Sequence, residues 1–251
     1  MLEWEDSGII LSVRGHGETG GIASILTRDH GRAAGYVYGA VSSKNRGVLE
    51  PGNLVAAHWQ AKAQGQLGTF TLELEKSHAA HVMDDPVKLT AMQSACVLAD
   101  KTLPELEKHA GVYEGTKALM ASFETGIWAP TYIYWEIGLL RELGFGLDLS
   151  KCAATGAVDN LIYVSPRSGC AVSAEAGEIY KEKLLPLPTF LRGEARFEDG
   201  DILDGLKLTG HFLRHRVFFQ ANADLPEARL RLEERFFQRA VIPAGAQFSS
   251  A

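Results

Sequence analysis

Over roughly the first 80 residues the apolar positions fall in short runs separated by glycine-rich turns, the pattern of strands rather than helices. The runs are GIILSVR (8–14), IASILT (22–27), AAGYVYGAV (33–41), LVAAHWQAKA (54–63) and GTFTLELEK (68–76). In the last, Phe70, Leu72 and Leu74 alternate with Thr69, Thr71, Glu73 and Glu75, which predicts one buried and one wet face. Around five such strands in so short a span predict a small closed barrel, because an open hairpin sheet leaves its edges exposed. The five-stranded OB barrel is the commonest solution.

From about residue 84 the period becomes helical. DDPVKLTAMQSACVLADKTL opens with Asp85 placed to cap a helix and Pro86 at its first position, where a missing N–H costs nothing. Pro104 is expected to start a second helix running to about Phe123. A third, APTYIYWEIGLLRELGFG, aligns Ile133, Ile137, Leu140 and Gly144 on one stripe and stops at its glycines. The three are expected to share a core. Residues 150–185 interrupt the pattern with the loop CAATGAVDNLIYVSPRSGC, bounded by Cys152 and Cys170. Helices resume in PLPTFLRGE, ILDGLKLTGHFLRHRVFFQ and LPEARLRLEERFFQR; in the last, Leu225, Leu232 and Phe236 oppose a basic face of Arg229, Arg231, Arg235 and Arg239. The reading is an α+β multidomain chain: an OB-fold domain over 1–80, a helical domain over 81–240, and a tail over 241–251 that is small and polar enough to be mobile.

Composition narrows the function. The 46% hydrophobic and 22% charged residues suit a globular protein. An acidic N-terminus and the lack of a membrane-length apolar run predict a cytoplasmic one. Three cysteines with no export signal read as reduced thiols, with Cys96 in the core. A net charge of -6 argues against a nucleic-acid partner only if the charge is evenly spread. It is not: from Arg28 to Arg46 the chain carries Arg28, Arg32, Lys44 and Arg46 against the single acid Asp29, and Arg14, His16, His30, His58 and Lys62 extend the balance. Tyr36, Tyr38 and Trp59 lie close by in sequence. Cations that neutralise phosphates beside rings that stack bases are what a strand-binding groove uses. The same residues also read as solubilising charges and barrel core, and the pattern alone leaves both open.

Other motifs carry less. GHGETG (15–20) matches a dinucleotide-binding fingerprint, but no helix follows it and Tyr38, Gly39 and Ala40 stand where the ribose-binding acid belongs, so it reads as a tight turn. His211 and His215 have metal-ligand spacing, but Arg214 and Arg216 beside them would repel a cation; a basic patch for an acidic partner is the better reading. His78, His81 and Asp84 at the barrel-to-helix junction read as packing. With no recognisable catalytic motif, a binding protein or adaptor without a cofactor is expected rather than an enzyme.

The segments TRDHGR, VYGAVSSKNR, LEPGN, LGFGLDLSKCAATG, YVSPRSGCAVS and LPEARLRL, in this order over nearly the whole chain, resemble the bacterial RecO family of DNA repair and recombination proteins. The resemblance implies an N-terminal OB domain and a helical domain with a zinc-finger-like insertion at about 150–185. It implies binding of single- and double-stranded DNA, annealing of complementary strands, and work with RecR, often RecF, in loading RecA onto DNA coated by single-stranded DNA-binding protein (SSB). Carried onto this chain, the DNA contacts would be Arg14, Arg28, Arg32, Lys44 and Arg46. The acidic SSB tail, which ends in an apolar residue, needs a greasy groove rimmed by cations, for which Arg214, Arg216, Arg231 and Arg235 are candidates by composition. The alternative is a protein–protein adaptor with incidental DNA contact. Metal-carrying members have two C-x-x-C pairs. Here Cys152 pairs with Thr155 and Cys170 lies ahead of the second pair, so the insertion reads as degenerate, without a metal, and held instead by a hairpin on LIYVS and a turn at Asp159 and Asn160.

Overall fold

A strand of 15 residues is too long for one flat pairing, and β1 (Leu2–His16) serves two neighbours. Its first half pairs with β4 (Leu54–Ala61) and its second half with β2 (Gly20–Thr27), with a bulge between Ile10 and Ser12 where it changes over. β3 (Gly31–Val37) runs antiparallel to β2, and β5 (Gly68–Lys76) antiparallel to β4. A short parallel pairing of Gly35 with Gly68 and Tyr36 with Thr69 then closes a barrel of order β1-β2-β3-β5-β4. This is the closed five-stranded barrel expected from the strand spacing. The computed structural model describes residues 2–241. Most of the tail expected from 241 onward lies outside the described residues.

Small residues face large ones inside the barrel. Ile10, Ile25, Val37, Val55, Trp59 and Phe70 fill it, against Ala23, Ala33 and Ala57. A Cβ on Gly35 would meet Phe70 at 2.4 Å and one on Gly68 would meet Trp59 at 2.1 Å, so both rings depend on glycine across the sheet. The alternation in β5 fades along the strand: Phe70 is buried, Leu72 half-buried and Leu74 exposed. After the single helical turn α1 (Ser43–Arg46) and the barrel's last strands, α2 (Pro86–Thr102) begins as the sequence requires. The Asp85 carboxylate accepts hydrogen bonds from the Val87 and Lys88 N–H groups at 3.0 and 3.1 Å. α2 packs on β1 and β2: Asp100 accepts from the Ser12 and Ser24 hydroxyls, and Cys96, buried as expected, donates to the Ile10 carbonyl.

One helix expectation needs correction. The helix assigned to Pro104 is α3 (Ala110–Ser122), starting six residues later. The intervening chain is held to β3 instead: Leu106 N–H donates to the Arg32 carbonyl at 2.8 Å, and Leu106 adopts φ 58°. The chain also divides into two compact units between Trp128 and Ala129. α2 and α3 belong to the first, whereas α4 (Trp128–Glu142) opens the second.

In the second unit, Gly144 with φ 86° ends α4. β6 (Leu161–Val164) and β7 (Ala171–Ser173) form the hairpin expected on LIYVS, Asn160 at φ 49° precedes it, and α5 (Ala174–Gly177) and β8 (Leu185–Pro186) follow. The sheet order is β7-β6-β8. PLPTFLRGE supplies only a 3-10 turn, Thr189–Arg192. Then come α6 (Asp199–Phe212), a π-helical turn at Leu213–Phe218 and α7 (Glu227–Val241). Arg229 is not on a basic surface. It lies on the apolar stripe of α7 with Leu225, Leu232 and Phe236, fully buried, with Nε 2.5 Å from Glu136 Oε1 of α4 and Nη2 donating to the Leu206 carbonyl at 2.6 Å. Glu136 also accepts from the Tyr132 and Thr209 hydroxyls, so the buried pair is hydrogen-bonded throughout.

Candidate nucleic-acid interface

Strand register decides which surface residues meet. Arg14 pairs with Ile22, Ile22 with Tyr36, Tyr36 with Thr69 and Thr69 with Gln60, so these five line one row across the outside of the barrel. At the same end of the sheet His16 pairs with Gly20. A Cβ on Gly20 would meet the Tyr36 hydroxyl at 1.9 Å, so only glycine lets that ring lie across β2. Tyr36 sits edge-to-face against His16 at 6.0 Å and against Tyr38 at 4.8 Å. Tyr38 remains 72% exposed, a large aromatic side chain left mostly to solvent.

Cations surround these rings. Arg14 projects from β1 and Lys62 follows β4. α1 carries Lys44 and Arg46 and is tied to the end of β3: the Asn45 side-chain amide donates to the Tyr38 and Gly39 carbonyls at 3.0 and 3.1 Å, and Ser42 caps the turn. Among the described residues, Arg14, Lys44, Arg46 and Lys62 are all exposed and form no ion pair with an acid of the chain. Their charge is left to solvent and to whatever anion approaches.

Arg28 and Arg32 are placed differently. They stand at the opposite end of the β2–β3 hairpin, about 13–20 Å along the strands from Tyr36 at the usual rise per residue. Arg28 Nε donates to Asp29 at 2.9 Å, and its Nη2 lies 3.7 Å from the buried Asp6. Lys108 reaches Asp29 at 2.7 Å, and the hydrogen bonds from Lys108 and Arg28 hold the Asp29 carboxyl below its usual range. Asp6 in turn accepts from the N–H groups of Ser7 and Asp29 and lies 3.2 Å from His30 Nδ1. Arg32, largely buried, donates to the Leu103 carbonyl at 2.8 Å and pairs with Glu105 and Asp100 at 3.3 and 3.5 Å. TRDHGR therefore works as a latch. Trp59 is also occupied: buried, stacked on Trp4 at 5.4 Å, its indole N–H donating to the Ala34 carbonyl. His58 pairs with Glu3 at 2.6 Å.

The family model for the N terminal part of Recombination protein O matches residues 1–78, and that for its C terminal part matches residues 83–222. A DNA repair protein RecO from Rhodospirillum centenum is 51% identical over 237 residues, covering 94% of this chain and 95% of the relative. One from Caulobacter vibrioides is 48% identical over 236 residues (93% and 94%), and one from Rhodospirillum rubrum 44% over 243 residues (94% and 96%). The chain belongs to the RecO family.

The RecO C terminal match ends at residue 222, so it takes in Arg214 and Arg216 but not Arg231 or Arg235. The structure does not gather these four. Arg214 and Arg216 lie on the π-helical turn, paired with Asp224 at 3.2 Å and donating to the Arg167 carbonyl at 2.5 Å. Beside them the His211 and His215 rings stand 4.5 Å apart; burial, together with the charges of His215, Arg214 and Arg216, lowers the His211 pKa. Arg231 pairs with Glu227 at 2.8 Å and borders an open cavity of about 500 Å³ between α6 and α7, lined also by Leu203, Lys207, Leu230, Glu233, Glu234 and Phe237. Arg235 is half-buried on α7.

The expected zinc-finger-like insertion at about 150–185 presents one buried cysteine, Cys152, and one partly exposed, Cys170. Cys152 Sγ accepts from the Ser173 N–H at 3.3 Å and the Ser173 hydroxyl at 3.4 Å. Burial pushes this thiol up, but hydrogen bonds from Ser173 and Thr155 outweigh it and bring the pKa down to about 6. Thr155 and Ser173 thus stand against Cys152 where a zinc would require thiolates, while Cys170 lies at the hairpin turn with its Sγ toward the Ser168 carbonyl. Among the described residues no group of three or more His, Cys, Asp or Glu could hold a metal ion. The side chains around Cys152 do not fit a tetrahedral zinc.

Sequence reasoning missed Gln60, Gln66 and Leu67 beside Tyr38, and the role of Gly20. The signal was present in the pairing of His16 with Gly20 across a tight turn, but nothing short of the register places Tyr36 on that glycine.

Proposed function

We propose that the chain acts in DNA repair and homologous recombination by binding single- and double-stranded DNA and annealing complementary strands, and that with RecR and RecF it helps load RecA onto SSB-coated DNA. The observation that carries this reading is the exposed ring of Tyr38, backed by Tyr36 and His16 and flanked by Arg14, Lys44, Arg46 and Lys62, none of them engaged by an acid. Rings stack bases without regard to sequence, and unpaired cations collect the backbone. Arg28 and Arg32, at the other end of the hairpin and paired with acids, hold its tip rather than contact phosphate. Annealing needs no nucleotide and no catalytic group, because base pairing supplies the driving free energy. We place the work in the cytoplasm, where DNA is met and the three cysteines stay reduced. Among the described residues no helix is long and apolar enough to cross a membrane.

For the SSB tail, the apolar walls of the α6–α7 cavity, Leu203, Leu230 and Phe237, would seat the apolar end, with Lys207 beside them. Arg231 is already paired with Glu227, and Glu233 and Glu234 line the same cavity, so an acidic stretch has to compete with these carboxylates there. The 150–185 segment is then a metal-free counterpart of the zinc-finger-like module, held by the β6–β7 hairpin and the Cys152–Ser173 hydrogen bonds. Metal analysis of the purified protein tests this, and one zinc per chain would overturn it.

Annealing of SSB-coated complementary oligonucleotides tests the function. The wild-type chain should accelerate it, and a Tyr38→Ala, Lys44→Ala, Arg46→Ala variant should not. A protein–protein adaptor with incidental DNA contact predicts no acceleration by either, and labelled oligonucleotide whose anisotropy rises only when SSB is present.

A further inference from the structure

We infer that the cleft of about 310 Å³ between the end of β3 and the β4–β5 loop is a pocket for one unpaired nucleobase, an inference that rests on the single-strand binding proposed above. Tyr38 and Leu67 form its apolar walls and are 72% and 51% exposed, so a planar group between them would remove two large hydrophobic surfaces from water. Gln60, Gln66 and Thr69 line the same cleft. Among the described residues neither glutamine side chain makes a hydrogen bond within the chain, which leaves two donor–acceptor amides beside the apolar walls. A glutamine amide matches the paired donor and acceptor on a base edge, as in its bidentate contact with adenine. Lys62 lines the cleft too, one residue beyond β4, where a phosphate attached to that base would need a cation.

The cleft is built rather than incidental. Asn45 fixes the backbone of Tyr38 through its carbonyl, and Gly68 lets the chain after Leu67 press onto Trp59. Its volume lies at the small end of the roughly 300–1,000 Å³ range of ligand cavities, right for one base and too small for a partner's helix. It is continuous through Tyr38 with the Tyr36–His16 rings, so a strand crossing Arg14 and Lys44 could place successive bases on the rings and one in the cleft.

The test compares a labelled single-stranded oligonucleotide with one of equal length whose central tract is abasic, by anisotropy titration of the full chain. Stacking contributes about 1–3 kcal/mol per base, so the wild-type chain should bind the abasic strand roughly five- to a hundredfold more weakly. Leu67→Ala and the double variant Gln60→Ala, Gln66→Ala change exposed side chains. Each should weaken binding of the normal strand several-fold, leave the abasic strand unaffected and so narrow the ratio. Lys44→Ala with Arg46→Ala should weaken both strands alike. Equal binding of the two strands by the wild-type chain, or a ratio unmoved by Leu67→Ala, would overturn the pocket while leaving backbone binding intact. Binding of neither strand would overturn the DNA reading and the pocket with it.

Discussion

A buried guanidinium has no water to hold its charge, so Arg229 persists only because Glu136, Glu233 and the Leu206 carbonyl surround it. Burial works against its charged form and Glu136 more than offsets this, leaving the pKa raised. Removing one partner strands the other: Arg229→Met should cost about 3–5 kcal/mol in urea denaturation, and adding Glu136→Leu should restore much of it. A second titratable group makes a pH prediction. Burial, with the charge of Lys76 next, lowers the His78 pKa from 6.5 to about 4, while Glu124 opposes and His81 adds to the effect. The unfolded chain therefore takes up this proton first, so the contribution of neutral His78 is complete above about pH 6.5 and is lost as pH falls toward 4. His78→Asn should flatten the decline in Tm between pH 6.5 and 4.5, above the range where the lowered Glu124 carboxyl adds its own loss. His78 was read from the sequence as packing and is buried, whereas the inward charge of Arg229 was not legible. Arg229 sits among arginines on a helix, and only the apolar stripe it shares with Leu225, Leu232 and Phe236 hinted that its charge points inward.

At the scale of elements, signals confined to one segment were readable. Asp85 and Pro86 start α2 where capping chemistry says they should, and the β-strands fall on the runs that alternation marked. Pro104 misled because helix-start residues do not reveal that the next stretch is claimed by a neighbour, here through the Arg32 carbonyl. The same limit applies to the basic segment from Arg28 to Arg46, which looks uniform in sequence. The hairpin carries its two halves to opposite ends, and Asp6, Asp29, Asp100 and Glu105 neutralise only the first. α1 is thus the element whose charges remain available. Replacing Lys44 and Arg46 by Ala should lower single-strand affinity and reduce the slope of log affinity against log salt by about 0.7 for each phosphate the variant no longer neutralises. Arg28→Ala should destabilise the hairpin tip and leave that slope unchanged. Anisotropy titrations over a range of salt concentrations distinguish the two, and a slope unaltered by the α1 substitutions would remove that turn from the interface.

For the whole molecule, the net charge of -6 stands against a polyanionic partner, and the distribution of charge over the barrel decides how much this matters. β5 runs from Thr69 in the ring-bearing row to Glu73 and Glu75, roughly 13–20 Å further along the strand, where with Glu5 and Asp6 they line a separate acidic cleft. The sequence predicted an acidic chain with a basic barrel segment, but that the unpaired cations Arg14, Lys44, Arg46 and Lys62 lie toward one end of the barrel and Glu73 and Glu75 toward the other follows from register, which composition does not contain. Fields at that distance are felt only when the Debye length reaches it, about 30 Å at 0.01 M salt and about 8 Å at 0.15 M. Glu73→Gln with Glu75→Gln should therefore raise single-strand affinity at the lower salt concentration and leave it unchanged at the higher one. Substitutions at Arg14 or Lys44, which stand beside the rings, should act at both. If the glutamate substitutions were equally effective at 0.15 M, DNA would have to run within about 8 Å of the acidic cleft, and the path across Tyr36 and Tyr38 would be wrong.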